Sequence, residues 1–211
     1  MYVLPAKVEL SNAGDDLLGI AYIGSTPPQS AADDTLLQAP GPLPRYFAYA
    51  TADRIQTAWQ QATDAGYTPA TYGAWHYSDI GCGIPNIYKA TSEKLTPQML
   101  NLDLLGAVSF SKGCYPGQEI IARTHHLGKV KRRCYLYSAE TNEIKAGDSV
   151  YQSDHDEACG LVVDNYAVDA NYSLGLISIR IDALDTPELY IKTQNDRAIT
   201  VHIDRDYESQ L

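Results

Sequence analysis

The chain has 211 residues, 45% of them apolar, which is enough to bury a real core in one large domain or two small ones. No apolar run is long enough to cross a bilayer, the best being residues 104–111, and nothing near Met1 reads as a signal peptide. The net charge of −10 argues against generic nucleic-acid binding, and the four cysteines (Cys82, Cys114, Cys134, Cys159) lack CxxC spacing, which argues for free thiols in a reducing cytoplasm.

Val8 and Leu10 alternate with Lys7 and Glu9 as in a strand, and a second apolar run spans residues 17–23 after a turn at 12–16. A loop rich in Pro, Gly and Gln covers 24–45, with a short helix expected at 30–38. A strand at 46–50 leads into a helix opened by Thr51 and stopped by Gly66. A helix at 71–80 ends in the Gly81, Gly83, Pro85 cluster, and Thr96-Pro97 marks a further helix start. After Arg133 the texture becomes short alternating strands at 134–138, 149–152, 159–164, 173–182, 188–192 and 198–204, which together make a small barrel or sandwich. The predicted class is α+β, with a first domain at 1–130 and a β-barrel domain at 131–211.

Charge is unevenly spread. Between Lys112 and Arg133 six basic residues (Lys112, Arg123, Lys129, Lys131, Arg132, Arg133) face one acid, Glu119, so this stretch carries +5 and the remainder −15. It is either a counter-surface for an anion or an ordinary solvated face.

The densest segment is Lys112-Gly113-Cys114-Tyr115-Pro116-Gly117-Gln118-Glu119. Pro116-Gly117 is the pair favoured at the centre of a type II turn, so Cys114 is presented just before a sharp reversal. A helix beginning at Gln118 or Glu119 turns its positive end back toward that turn. Lys112 and the helix start favour a thiolate, and Glu119 opposes it. The alternative for Cys114, and the favoured reading for the other three cysteines, is a small buried hydrophobe. No Cys/His set has metal-ligand spacing, and adjacent His125-His126 point about 100° apart on a helix, so no metal is expected to be bound by this chain alone.

That octapeptide, followed by Ala122-Arg123, Gly128 and Lys131-Arg132, resembles the K-G-C-[FY]-x-G-Q-E signature of the YgfZ family and its mitochondrial iron–sulfur relative. Upstream, Trp75, Asp79-Ile80, Gly83-Ile84-Pro85, Pro97-Gln98, Asn101-Leu102 and Val108-Ser109-Phe110 follow in the family's order, and the resemblance covers nearly the whole chain. It implies an aminomethyltransferase-like folate-binding domain followed by a C-terminal β-barrel, with folate (tetrahydrofolate) as ligand. Trp75 matches a folate-site tryptophan whose indole can stack on a pteridine, although a helix tryptophan can equally fill a core. Arg123 and the basic residues after it offer a counter-charge to the glutamate tail.

The resemblance also implies a family N-terminal segment, with a Gln-Gly-Gln and a Thr-Asn-Asp motif and a second tryptophan, that this sequence does not contain. Part of the folate site and the acid of classical aminomethyltransferases are expected there. The implied function is an accessory protein supporting assembly or repair of iron–sulfur enzymes, tRNA-modifying ones included. Cys114 would be the reactive or cluster-contacting thiol, with Lys112 beside it and Gly113, Tyr115, Gly117, Gln118, Glu119 and Arg132 as motif support. The expected partners are iron–sulfur assembly or client proteins, with no membrane and no direct tRNA contact. The competing readings are a folate-dependent one-carbon transferase and a scaffold that has lost its ligand.

Overall fold

The computed structural model describes residues 9, 11–26, 36–113, 117–153, 155–186, 188–205 and 207. The expected strand around Val8 and Leu10 and most of the expected helix at 30–38 lie outside them. The chain forms two compact units, one of Met1–Ala39 with Pro44–Pro69 and one of Pro40–Leu43 with Ala70–Leu211.

In the first unit, β1 (Leu18–Ile23) and β2 (Leu37–Gln38) flank the central β3 (Arg45–Ala50), all antiparallel. Residues 37–38, expected at the end of a helix, are extended because they pair with Phe47 and Tyr46 of β3. Alternation sends Ile20 and Tyr22 of β1 and Ala48 and Ala50 of β3 to one face, where Ala58 and Ala62 of α1 (Ala52–Asp64) meet them. Four alanines let helix and sheet approach closely. Gly66, at φ +91°, stops the helix as expected: Tyr67 N–H donates to Ala62 and Gly66 N–H to Thr63, which satisfies the last carbonyls.

The second unit is built on a closed barrel of β4 (Arg132–Ala139), β5 (Ser149–Gln152), β6 (Gly160–Ala167), β7 (Ser173–Arg180), β8 (Leu189–Lys192) and β9 (Ala198–Ile203), in the order β4-β7-β6-β5-β8-β9. All six expected strands are present. β7 is the longest shared neighbour, pairing β4 from Arg132↔Arg180 to Ala139↔Ser173, and β9 returns to β4 at Tyr137↔Ile203 to close the ring. Val150, Val162, Leu176, Ile177, Ile179 and Ile191 fill the core at zero exposure. The fourth strand stops at Arg180 instead of continuing to 182. There Ile181 N–H donates to Lys131 O, and a 3-10 turn, Ile181–Asp185, tucks Ala183 into the core.

Two helices, α2 (Tyr72–Gly81) and α3 (Gln118–Leu127), and a 3-10 turn at Pro97–Leu100 belong to the same unit. The expected helix at Thr96-Pro97 is thus a single 3-10 turn, ended by Asn101 in the left-handed conformation at φ +58°. Asn101 then acts as a strand partner for the start of β4, its Nδ2 donating to Cys134 O (2.7 Å) and its Oδ1 accepting from Cys134 N (3.2 Å). The compact units are divided elsewhere than at 130/131, because α2 packs on β6 and β7 and the 3-10 turn packs on β4. The architecture is mixed α and β with a six-stranded barrel. Among the described residues, no helix is long and apolar enough to cross a membrane.

Candidate functional site

Cys114, Tyr115 and Pro116 lie outside the described residues, but both shoulders of the motif, 112–113 and 117–123, are within them. Lys112 and Gly113 are exposed, and a Cβ added at Gly113 would meet nothing within 4 Å, so crowding is not what this glycine relieves. Gly117 sits at φ +85°, ψ −7°, the values that the third residue of a type II turn requires. The helix expected from Gln118 or Glu119 begins at Gln118, with Glu119 and Arg123 exposed on it.

The segment is closed on itself by an aromatic stack that the sequence does not announce. Phe110, just before Lys112, lies flat on His125 near the end of α3, with ring centroids 3.7 Å apart and an interplanar angle of 11°. His126 stands edge-on to His125 at 4.8 Å and to Phe110 at 6.4 Å. Among the described residues no three His, Cys, Asp or Glu side chains gather as metal ligands.

The basic stretch divides into spent and exposed cations. Arg133 is buried, its Nη1 donating to Asp103 Oδ1 (2.6 Å) and Gln98 O (3.1 Å), and Arg132 Nη1 donates to Cys159 O (2.9 Å). Both tie the base of β4 to its surroundings. Lys112, Arg123, Lys129 and Lys131 remain exposed.

Trp75 is half-buried on α2, and α2 is anchored by a carboxylate that sequence reasoning missed. Asp164, at zero exposure in β6, accepts from His76 Nε2 (2.9 Å), Tyr88 OH (2.6 Å) and Asn165 N (2.8 Å) on Oδ1, and from Asn86 N (2.9 Å) and Nδ2 (3.2 Å) on Oδ2. The β6–β7 register shifts between Val162 and Asp164, and at this irregularity the carboxylate joins the barrel to α2 and the 86–88 loop. Burial, reinforced by the hydrogen bond to Asp164 and its charge, pushes the Tyr88 hydroxyl far up, so Tyr88 remains a neutral donor. The available signal was an acid following Val162-Val163 inside an apolar run. An acid in such a strand needs several donors, and three of the four that supply them lie some eighty residues earlier.

Cys82, Cys134 and Cys159 are buried free thiols. Desolvation, with a smaller push from the Asp164 charge, raises Cys134 to about 12, and burial likewise raises Cys159, whose Sγ donates to Val150 O (3.4 Å).

A folate would need an aromatic platform, polar partners for the pterin and a cation for the glutamate tail. Trp75 and exposed Arg123 fit the two ends in kind. Gln98 is 1% exposed and its Oε1 has no partner among the described residues, while its Nε2 donates to Ile121 O of α3 (2.8 Å); that orphaned acceptor suits a pterin N–H. A separate cavity of about 550 Å3 on the barrel, lined by Tyr137, Tyr172, His202 and Arg205 among others, contains none of the residues the sequence singled out.

No family model matches the chain. A Colwellia psychrerythraea protein described as tRNA-modifying protein YgfZ is 30% identical over 195 residues, which cover 91% of this chain and 56% of that relative. A Vibrio atlanticus protein of the same description is 26% identical over 212 residues, 93% of this chain and 64% of the relative. One from Buchnera aphidicola reaches 52% identity over 68 residues, 32% of this chain and 21% of its own length. The chain therefore spans 56% to 64% of the first two relatives.

Proposed function

Because this chain belongs to the YgfZ family across the part of those proteins that it spans, we propose that it is a folate-binding accessory protein supporting the assembly or repair of iron–sulfur enzymes, tRNA-modifying ones among them. The observation that supports the reading is on either side of the cysteine: Lys112 and Gly113 are exposed, Gly117 is left-handed and α3 begins at Gln118, with Cys114 between them in the sequence.

In this reading Cys114 is the reactive or cluster-contacting thiol. Lys112 and the N–H groups at the start of α3 favour its thiolate, Glu119 restrains it, and Gly113 lets a partner approach the backbone. Trp75 stacks on the pteridine, Arg123 pairs with the glutamate tail, and Gln98 Oε1 accepts from the pterin. Tyr115, Gln118 and Arg132 support the motif. Iron–sulfur assembly factors or client enzymes in the cytoplasm are the partners, and tRNA is reached through the enzymes served. The aminomethyltransferase-like arrangement of the folate domain belongs to the same proposal.

The test is a folate titration in a Trp59→Phe background, which leaves Trp75 as the single tryptophan. Tetrahydrofolate should quench Trp75 saturably, and Arg123→Ala should weaken binding about tenfold, the value of one charge-assisted contact. Absence of quenching would favour the ligand-less scaffold.

A further inference from the structure

We propose that the outward face of α3 is a docking surface for an acidic, apolar-anchored segment of a partner protein. The inference extends the proposed function by naming a surface and the chemistry of its partner.

The helix is built inside out. None of its residues is buried, and the half-buried ones are Gln118, Ile121, Ala122 and Thr124. Two of its three large aliphatic side chains point away from Ile121's half-buried face: Ile120 is 66% exposed and Leu127, the most exposed large apolar residue described, is 85% exposed. Seven residues apart, they lie on one face two turns from each other, with Arg123 between them. A soluble helix ordinarily turns such residues inward, so this ridge has the pattern of a face completed by association.

Charge identifies the partner. With Arg133 buried against Asp103 and Arg132 half-buried and donating to Cys159 O, Lys112, Arg123, Lys129 and Lys131 are the exposed cations of the 112–133 stretch, against its single acid Glu119. The remainder of the chain is strongly acidic, so this patch is a local reversal that steers an anionic partner to one place. RNA fits less well, because single strands are held on aromatic platforms, and the one beside α3 among the described residues, Phe110, is covered by His125 at 3.7 Å. A membrane surface fits less well too, since an interfacial helix presents a longer apolar face than two aliphatic residues on ten.

The test places a photo-crosslinking benzoylphenylalanine at Leu127 in cells, with Ile87, itself 80% exposed, as the control position. Adduct peptides are sequenced. The expected adducts at 127 map to protein segments rich in Asp and Glu with interspersed large apolar residues. Their yield should fall about tenfold when Lys129→Glu and Lys131→Glu are combined, and comparably with Ile120→Ser. Folding of each variant is checked by circular dichroism, and all these positions are exposed. Adducts no stronger than at 87 would overturn the proposal, as would yields indifferent to both changes. Adducts with nucleic acid, lipid, a second copy or another part of the same polypeptide would also overturn it. Folate quenching of Trp75 is indifferent to Ile120→Ser, which touches none of the cations assigned to the folate tail, so failure here and failure of the folate reading are told apart by that variant.

Discussion

Removing the Asp164 carboxylate is expected to be among the most damaging single changes in the barrel unit. Asp164→Ala leaves His76 Nε2, Tyr88 OH, both Asn86 donors and Asn165 N without their acceptor. All four of those residues are half-buried and some of their donors can turn to water, so the cost is that of two or three stranded groups, about 3–5 kcal/mol. Against a typical total of about 5–15 kcal/mol this is about a fifth or more of the stability, or about 10 °C in Tm. Tyr88→Phe, which removes the 2.6 Å bond to Asp164 together with the longer one between the hydroxyl and His76 Nε2 (3.4 Å), should cost about 1.5–3 kcal/mol. The assay is urea unfolding followed through Trp75 in the Trp59→Phe background, because Trp75 precedes His76 on the anchored helix. The midpoint should fall with m unchanged. A loss below about 1 kcal/mol for Asp164→Ala would refute the view that this carboxylate holds α2 to the barrel.

Two further outcomes follow from burial and from packing. Iodoacetamide should leave Cys82, Cys134 and Cys159 unmodified in the folded protein at pH 7 and still at pH 9. A thiol raised to about 12, as Cys134 is, gains thiolate only as pH climbs toward that value, and modification of all three is expected only in denaturant; rapid labelling of Cys134 at pH 9 would contradict its burial. Gly175→Ala should destabilise by about 1–3 kcal/mol in thermal unfolding, because the new methyl would sit 2.6 Å from Tyr137 Cε1 and against Asp164 O, where β7 pairs β6 beside the register shift.

Much of this structure is legible from local rules. The alternation of Ile177, Ile179 and Ile181 with Ser178, Arg180 and Asp182 points to a half-buried strand; β7 is there but ends at Arg180, and Ser178 is as fully buried as Ile177 and Ile179, because its hydroxyl donates to Met99 O. Gly66 and Gly117 were legible because glycine relieves the positive φ that a helix stop and a type II turn need. What stayed hidden depends on pairing across the chain. Nothing near Asp164 indicates that His76 and Tyr88 will meet it, and nothing near Arg133 indicates that Asp103 will neutralise it. Of the six cations that the stretch shows in sequence, the fold buries Arg133, half-buries Arg132 and leaves four exposed. Phe110 and His125 each look ordinary in the sequence, and only the fold shows them face to face.

The central claim is that Cys114 does the work to which the motif is fitted. In a strain lacking its own copy of the gene, expression of this protein should restore an iron–sulfur-dependent tRNA thiolation, measured by mass spectrometry of digested tRNA. Cys134→Ala and Cys159→Ala, if they remain folded, should restore it as well. Cys114→Ala should fail to restore the thiolated nucleoside while keeping the circular dichroism and unfolding midpoint of the parent. Full restoration by a folded Cys114→Ala protein would contradict the account.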